Sequence, residues 1–488
     1  MNQLQTPLFS ALAAFHKENK VSYHVPGHKN GQIFMKQGRK MYESLLQIDA
    51  TELSGLDDLH APEGPIKEAE QLLANLYRVQ NSYFLVNGST VGNIAMIMGT
   101  CEEGDTVLVQ RNCHKSILHG LMLANVKPVF LQPTIYKEWE VAGGLDVQLI
   151  TEALNLYPET KAIILTSPNY YGLSQDLSSI ITVAHDKGIP VLVDEAHGAH
   201  FSVDNQFPQS AIEAGADVVV HSAHKTLPAM TMGSYLHVNT SLVSRERIEW
   251  YLQMLQSSSP SYPIMGSLDL ARAYLAAFTE DDCQFLIKRI ADFKDQLSAV
   301  KEVEVLEPPK GVVADPLKVS IRSTQGLSGY EVQALLEEAG IYSELADPRN
   351  VLLILPLLKK EQFYPLRQTI EQIQGALKGK KGQNSTSSMI QWKEEANINI
   401  NITTLVVSYS DMKQMKTKQV LLNEAIGQVS AEMVIPYPPG IPFIMPGEMI
   451  TAEKVATLKH LLAHKSRFHG GQALMSGELI VYESGSVR

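Results

Sequence analysis

The sequence predicts an α/β fold in which a doubly wound, mostly parallel sheet is followed by smaller α+β domains. The chain has 488 residues, of which 44% are hydrophobic, so it can bury large cores and form two or three domains. Between about residues 65 and 240, short continuous apolar runs alternate with amphipathic stretches. Continuous apolar strands separated by helices are typical of a parallel sheet that is covered on both faces.

The elements of this first region alternate between helix and strand. Gly64-Pro65 predicts a helix start, because a proline in the first turn of a helix gives up no hydrogen bond. The apolar residues that follow recur at helical spacing, and further helices are predicted after residue 90 and over 177–187. Strands are predicted at 83–86, 106–109, 128–131, 162–166, 190–194 and 217–221.

The pattern changes near residue 268, where longer helical stretches begin. Strands at 316–321 and 351–355 and helices at 329–339 and 361–376 predict a small α+β domain. A stretch that is poor in apolar residues and rich in Gly, Ser and Lys predicts a linker or an exposed loop, and the last forty residues add a helix and a short strand. The predicted division is an N-terminal segment that contributes to the active site (1–65), a large domain (66–267), a small α+β domain (268–377), a linker (378–400) and a C-terminal domain (401–488).

Composition argues against several classes of protein. The chain carries 41 basic and 52 acidic groups, a formal net charge of −11, so no global positive field attracts nucleic acid. Its apolar runs are too short to cross a membrane, and its first twenty residues lack the features of a secretory signal. The three cysteines are odd in number and far apart. We therefore expect a cytoplasmic protein without a nucleic-acid or membrane partner and without disulfides.

Two polar segments follow neighbouring predicted strands. Residues 194–200 (DEAHGAH) lie directly after one predicted strand, and residues 221–225 (HSAHK) follow the next predicted strand. In an open parallel sheet, ligands bind outside the carboxyl ends of the strands, so these segments should lie side by side at such a mouth. Either segment alone could be a turn with solvated side chains, but the two together favour a site.

Lys225 and Asp194 suggest the chemistry of that site. A lysine that is partly desolvated in a cleft can attack a carbonyl group and form a Schiff base. A carboxylate one strand away can keep the ring nitrogen of a pyridine cofactor protonated. The alternatives are an ordinary surface cation for Lys225 and a helix cap or an ion-pair partner for Asp194.

A phosphate site is predicted where Gly88, Ser89 and Thr90 lie between a strand and a helix. Free backbone N–H groups at a helix start, together with two hydroxyl groups, can bind an anion, although Ser and Thr are also common N-caps without a ligand. Ser222 and His224 could add donors. His114, which follows another strand, could stack on a flat ring or be a loop histidine.

The combined motifs resemble those of the Orn/Lys/Arg decarboxylase family, bacterial pyridoxal-phosphate (PLP) enzymes with the type I aspartate-aminotransferase fold. The resemblance runs from about residue 5 to 450 in the same order, and is closest to the short Gram-positive-type members. The matching segments are 24–29 (HVPGHK), 56–60 (LDDLH), 88–90 (GST), 111–116 (RNCHKS), 167–172 (SPNYYG), 194–198 (DEAHG), 221–225 (HSAHK) and 437–442 (YPPGIP).

The resemblance implies roles for individual residues. Lys225 would form the Schiff base with PLP, Asp194 would contact the pyridine nitrogen, His114 would stack on the ring, and His197 would lie near the phenolic oxygen. The implied phosphate contacts are Ser89, Thr90, Ser222 and His224, beside the Gly88 turn. Glu448 is a candidate partner for the distal cation of the substrate, and Glu344 and Asp347 are weaker candidates. The segments 24–29 and 438–448 would surround the substrate.

The resemblance also implies the activity and the assembly. We expect PLP-dependent decarboxylation of arginine, lysine or ornithine to the corresponding amine, a reaction of polyamine biosynthesis, in at least a homodimer. Residues 257–263 (SSSPSYP) would reach the second subunit or form a plain loop. Ala223 and Asn169 stand where relatives often carry other residues, which leaves the choice of substrate open.

Two alternatives belong to other functional classes. The H-x-x-H spacings of His197 with His200 and of His221 with His224, near Asp194, suggest a metal-dependent hydrolase. Against this, the segments are predicted as strand ends, where a three-residue spacing does not place two side chains on one face. A catalytically silent regulatory relative is the second alternative, and the presence of both Lys225 and Asp194 argues against it.

Overall fold

A computed structural model describes residues 1–18, 21–382, 401–437, 441–463 and 467–483. Its α-helices are, in chain order, α1 (Pro7–Lys17), α2 (Lys36–Leu46), α3 (Pro65–Tyr77), α4 (Gly88–Thr100), α5 (Lys115–Ala124), α6 (Val147–Leu156), α7 (Leu177–His185), α8 (Ala223–Thr226), α9 (Arg245–Leu255), α10 (Tyr262–Ala276), α11 (Glu280–Ser298), α12 (Gly329–Glu338), α13 (Leu366–Leu377), α14 (Tyr409–Met412) and α15 (Ala452–Ala463).

The strands are, in chain order, β1 (Asn81–Leu85), β2 (Thr106–Gln110), β3 (Lys127–Leu131), β4 (Ile135–Tyr136), β5 (Val141–Ala142), β6 (Ala162–Thr166), β7 (Val191–Asp194), β8 (Val218–His221), β9 (Ser234–Val238), β10 (Val303–Val305), β11 (Lys318–Ser323), β12 (Leu345–Ala346), β13 (Val351–Ile354), β14 (Ile402–Thr404), β15 (Thr417–Leu421), β16 (Val434–Tyr437), β17 (Arg467–Gly470) and β18 (Glu478–Tyr482). The predicted α/β class is confirmed, because the main sheet has eight strands that are mostly parallel.

The chain divides into two compact units. Unit 1 comprises residues 1–101, 115–123 and 184–283, and unit 2 comprises residues 102–114, 124–183 and 284–488. Four strands of the main sheet belong to unit 1, in the order β1-β9-β8-β7, and four belong to unit 2, in the order β6-β2-β3-β14.

In unit 1, strands β7 and β8 are parallel, with Asp194 opposite Val220, whereas β9 is antiparallel to both β8 and β1. All residues of β7 and β8 are buried, as their continuous apolar sequence predicts. Helix α4 packs closely on its neighbours because two of its residues are glycines, which have no side chain. A Cβ atom at Gly92 would lie 2.7 Å from the Leu85 side chain, and one at Gly99 would lie 2.6 Å from that of Ile248. This packing fixes the start of α4 in unit 1.

In unit 2, β2 is parallel to β3 and β6, and β14 is antiparallel to β3. A second, four-stranded sheet has the order β10-β11-β13-β12, with helix α12 packed against it. Two-stranded sheets pair β15 with β18, β16 with β17, and β4 with β5. The segments around β15 to β18 enclose their own apolar cluster, which includes Val434, Leu458 and Val481.

The six predicted strands correspond to β1, β2, β3, β6, β7 and β8, with ends that differ by at most two residues. The helix predicted over 361–376 is wrong at its start, because α13 begins only at Leu366. Pro365 disfavours helical backbone at the residue before it, so the helix follows the proline. Of the predicted linker, residues 383–400 lie outside the described residues.

All three cysteines are free and buried. Within the described ranges, no helix has both the length and the apolar character that a bilayer crossing demands. The predicted domain boundaries stay predictions.

Candidate active site

The two polar segments meet at one edge of the sheet in unit 1. Strand β7 ends at Asp194 and its parallel neighbour β8 ends at His221. The turn after β8 is tied to the turn after β7, because the backbone N–H of Ser222 donates to the carbonyl of Ala196 over 3.2 Å. The predicted adjacency of the two segments is therefore confirmed.

Lys225 lies on the short helix α8, directly after β8. Its Nζ atom is 3.1 Å from Nε2 of His197, which comes from the DEAHGAH segment. The lysine is half-buried and only 5% of His197 is exposed. The fold thus holds an amine beside an imidazole that can exchange a proton with it.

Asp194 is almost fully buried, and side chains from two helices hold its surroundings in place. Its Oδ2 accepts a hydrogen bond from Nδ2 of Asn93 at 2.9 Å, and its Oδ1 accepts one from the N–H of Ala196 at 3.2 Å. Asn93 Nδ2 also donates to Oγ of Ser116 at 2.9 Å. These donors satisfy a carboxylate that would otherwise be costly to bury.

Asn93 and Ser116 were not predicted from the sequence. The available signal was a single amide inside the apolar run of α4, one turn after Ser89 and Thr90. Only the packing of α4 beside β7 shows that this amide reaches Asp194.

The anion site predicted at the start of α4 has a suitable shape. Gly88 has a φ of +78°, a left-handed conformation that favours glycine, and a Cβ atom there would meet nothing within 4 Å. Ser222 Oγ donates to Ser89 Oγ at 2.8 Å, so hydroxyls from α4 and from the turn after β8 converge. Thr90 is exposed in the first turn of α4. Hydroxyl and helix-start N–H donors fit a phosphate group.

His224 contributes less than expected. Its Nδ1 atom lies 2.9 Å from the carbonyl oxygen of Gly233 and its backbone N–H also donates to that oxygen. Only Nε2 is then left for a phosphate contact. Taken together, Lys225, Asp194 and the serine pair fit a cofactor that has an aldehyde, a ring nitrogen and a phosphate.

His114 is half-buried and is the last residue of segment 102–114 of unit 2. Its predicted stacking on a cofactor ring stays a prediction. Three residues earlier in the same segment, Arg111 is 2% exposed and forms a dense set of bonds within unit 2. Arg111 donates to the carbonyl of Pro442 at 2.6 Å and to Oγ1 of Thr403 at 2.6 Å.

The contacts of Glu448 do not favour its predicted role as the partner of a substrate cation, which stays a prediction. Both carboxylate oxygens are already bound by Arg111, at 2.5 and 2.8 Å, and Oε2 also accepts from Nζ of Lys454 at 3.0 Å. Glu448 is 1% exposed. It is the centre of a buried ion-pair cluster with two cations of its own, and the backbone N–H of Met445 also donates to Oε2 at 3.1 Å.

This cluster predicts a loss of stability in acid. Burial alone would raise the pKa of Glu448, but Arg111 and Lys454 outweigh burial and lower it from 4.5 to about 2. The pKa of Glu448 is lower in the folded state than in the unfolded state, so ionised Glu448 stabilises the fold. This stabilisation is complete above about pH 4.5 and is lost as the pH falls towards 2. It amounts to about 3 kcal/mol. We expect the difference in unfolding free energy between the wild type and Glu448→Gln, measured by urea denaturation, to shrink between pH 5 and pH 3. A constant difference would contradict the lowered pKa.

Asp347 likewise has contacts that do not favour its predicted role. It is 5% exposed, its Oδ1 accepts from the N–H groups of Arg349 and Asn350 at 2.7 Å each, and its Oδ2 accepts from the Asn350 side chain at 2.7 Å and from the Tyr171 hydroxyl. These contacts show that its carboxylate stabilises the loop before β13, and its role as a substrate contact stays a prediction. Glu344 is exposed, and its role as a substrate contact stays a prediction.

The paired histidines do not converge on a common point. His221 Nε2 lies 2.7 Å from Oε2 of Glu195, and its Nδ1 lies 3.1 Å from Nε2 of His237. His224 faces Gly233, and His197 faces Lys225. In the described part of the chain, no group of three His, Cys, Asp or Glu residues has the geometry of a metal site. The arrangement therefore does not support the metal-hydrolase alternative.

The predicted substrate segments are only partly described. In the HVPGHK segment, His28 Nε2 lies 3.0 Å from Oδ2 of Asp49. Residues 438–440 of the C-terminal segment lie outside the described residues. In the SSSPSYP segment, the carbonyl of Ser257 is 2.9 Å from His60 Nε2, and Ser261 caps α10. The predicted reach of this segment into a second subunit stays a prediction.

Comparison with known proteins agrees with the resemblance seen in the motifs. Residues 6–313 match the family model "Orn/Lys/Arg decarboxylase, major domain", and residues 396–478 match "Orn/Lys/Arg decarboxylase, C-terminal domain". An uncharacterized protein of Bacillus subtilis, YaaO, is 47% identical over 98% of this chain and 99% of its own length. An arginine decarboxylase of Bacillus subtilis is 34% identical, with 93% of both chains covered.

A solved structure shows the same fold. The lysine decarboxylase LdcF of Francisella novicida superimposes with a TM-score of 0.80 at 21% sequence identity, covering 98% of this chain and 81% of the other.

Proposed function

Because this chain belongs to the Orn/Lys/Arg decarboxylase family, we propose that it is a PLP-dependent enzyme that removes CO2 from arginine, lysine or ornithine. The observation that carries the proposal is the contact between Lys225 and His197 after two adjacent parallel strands, one of which ends at Asp194. The same unit holds the Ser89–Ser222 pair. The chemistry of these groups matches the three functional parts of PLP.

Each residue has a separate task in the proposed reaction. Bound PLP supplies an electron-withdrawing ring that accepts the electron pair left on Cα when CO2 departs. Lys225 would hold the cofactor through its Nζ atom. Asp194, which accepts a hydrogen bond from Asn93, would keep a proton on the ring nitrogen. Ser89, Ser222 and the start of α4 would bind the phosphate and so orient the ring.

In the proposed reaction, the amine of Lys225 would return a proton to Cα after CO2 has departed. His197 lies 3.1 Å from that amine and can take up or supply the proton in turn. We assign Lys225 as the proton donor at Cα and His197 as the group that exchanges protons with it.

The substrate is the part of the proposal that needs the most direct test. We expect CO2 release from at least one of arginine, lysine and ornithine when the three are assayed side by side with purified holoprotein. Citrulline, which has the shape of arginine without its charge, is the matched control and should release little CO2. If none of the three reacts while the protein carries a PLP absorption band, the substrate assignment is wrong.

We propose further that the protein acts in the cytoplasm as a homodimer or a higher oligomer. In support, the N-terminal segment exposes large apolar side chains, including Tyr23 (93%), Met35 (76%) and Met41 (86%). Exposed apolar residues in such number are typical of a surface that another chain covers. Light scattering during size-exclusion chromatography will test this, and a monomer at micromolar concentration would contradict it.

A further inference from the structure

A cavity of about 600 Å³ lies in unit 1, and neither Lys225 nor Asp194 lines it. Its walls come from the segment before α3, from α3 itself, from β1 and from α9. It shares no residue with the proposed active site. The size is that of a pocket for a small organic molecule.

One wall of this cavity contains a buried carboxyl group that lacks a cationic partner. Glu70 is 5% exposed, and its Oε1 accepts a hydrogen bond from the N–H of Phe84 at 3.0 Å. Among the described residues, neither a further donor nor an ion-pair partner contacts Glu70, and its side chain borders the cavity. A carboxylate buried without a counter-ion is destabilising, so its presence here needs an explanation.

The charge around Glu70 makes its ionisation harder still. Burial is the main cause that raises its pKa from 4.5 to about 8; Asp57 and Glu249 raise it further, while the Phe84 N–H and Lys67 lower it. Because the folded pKa is above the unfolded one, the stability of the protein falls as the pH rises from 4.5 to 8. Strongly shifted carboxyl groups beside a cavity often mark binding sites.

The other walls are suited to an organic cation. The Tyr83 hydroxyl donates to Oε1 of Glu249 at 2.7 Å, and the Trp250 ring is 54% exposed. An aromatic ring beside a carboxylate can hold both the charge and the alkyl stem of an amine. The ionisable lining consists of four carboxyl groups and two basic side chains besides a histidine: Glu63, Glu70, Glu246 and Glu249, and Lys67 and Arg245.

The two basic side chains do not neutralise this lining. Arg245 forms ion pairs with Glu246 at 3.2 Å and with Glu249 at 3.5 Å, so its positive charge already compensates these carboxylates. While Glu70 is protonated, the other three carboxylates exceed the two cations by one negative charge, and ionisation of Glu70 raises the excess to two. A positively charged ligand would supply what the cavity lacks.

We infer that this cavity binds a small alkyl amine or guanidine cation, with the charged end on Glu70 and the stem against Trp250. The identity of the ligand rests on the proposed function, since the product of that reaction is a cation of this class. The product fits better than the substrate, because it lacks the α-carboxylate that the remaining carboxyl groups would repel.

Calorimetric titration of the holoprotein with cadaverine and with agmatine tests the inference. We expect at least about tenfold weaker binding at this site for Glu70→Gln than for the wild type, because a hydrogen bond to a charged group is lost. Glu68→Gln is the matched control: it lies on the same helix, is exposed and does not line the cavity, and it should bind like the wild type. Comparing variants removes the contribution of amines that bind at the active site.

Glu70→Gln is expected to fold, because the amide oxygen of glutamine can accept from the Phe84 N–H, and it should unfold at a higher temperature than the wild type at pH 8. Hydrogen exchange provides a second measurement, with added cadaverine protecting α3 and α9 in the wild type only. Equal affinity of the wild type and Glu70→Gln would overturn the inference. Lysine binding as tightly as cadaverine would overturn the choice of product over substrate.

The outcome is separable from that of the proposed function. Suppose that the protein releases no CO2 from any basic amino acid but Glu70→Gln still loses cadaverine binding. The inferred amine site is then supported and the proposed reaction is wrong. If CO2 is released and Glu70→Gln binds like the wild type, the inference fails alone.

Discussion

Replacing Lys225 with alanine is expected to lower the rate of CO2 release by about a thousand-fold or more. The amine at this position has two tasks in the proposed reaction: it attaches the cofactor and it returns a proton to Cα. Its position 3.1 Å from His197 serves both, since the imidazole can take up and supply the proton that the amine needs. The measurement is CO2 release at saturating substrate, together with the visible absorption of the protein. Borohydride treatment should fix PLP to the peptide that contains Lys225 in the wild type only.

Two further variants separate chemistry from charge and from general damage. Lys225→Arg keeps the positive charge, but its guanidinium stays protonated and is a poor nucleophile, so it should be about as inactive as the alanine variant. Lys187→Ala removes an exposed lysine next to the end of α7 and should leave the activity unchanged. Substantial CO2 release by Lys225→Ala would show that the catalytic assignment is wrong.

Replacing Arg111 with alanine is expected to lower the free energy of unfolding by about 3–5 kcal/mol. The guanidinium is buried, binds both oxygens of Glu448 and also donates to the carbonyl oxygen of Pro442. Its removal would leave a buried carboxylate with only Lys454 as a cationic partner. Urea denaturation followed by far-UV circular dichroism at pH 7 measures the change.

The matched control is an exposed ion pair of the same residue types. Arg367 lies 3.4 Å from Glu371 in α13, where 86% and 65% of the two side chains are exposed. Arg367→Ala should cost less than about 1 kcal/mol, because water screens such pairs. Replacing Arg111, Glu448 and Lys454 together by apolar residues should destabilise less than Arg111→Ala alone, since no uncompensated charge remains. A loss as small for Arg111→Ala as for Arg367→Ala would contradict the importance of the buried cluster.

The amino-acid pattern by itself was sufficient for the parallel strands and for the edge at which the site forms. Continuous apolar runs such as Val191–Asp194 and Val218–His221 identify buried strands. Because parallel strands end at the same edge of a sheet, the polar residues after them were expected at that edge. These signals are local, because each depends on residues that are close in the sequence. The family resemblance had the same basis, since each of its motifs is a short segment.

The interaction partners of the charged residues were visible only in the tertiary structure. The family resemblance suggested Glu448 and Asp347 as substrate contacts. In the structure, Glu448 binds Arg111, 337 positions away, and Asp347 binds Tyr171, 176 positions away. Likewise, the amide of Asn93 meets Asp194 across 101 positions, and Glu70 borders a cavity that four separate elements build. Whether a carboxylate meets a cation, a hydrogen-bond donor or an empty cavity depends on which distant segments fold against it. Side-chain type and spacing determine where a polar group can lie, but its partners are set by the packing of the whole unit.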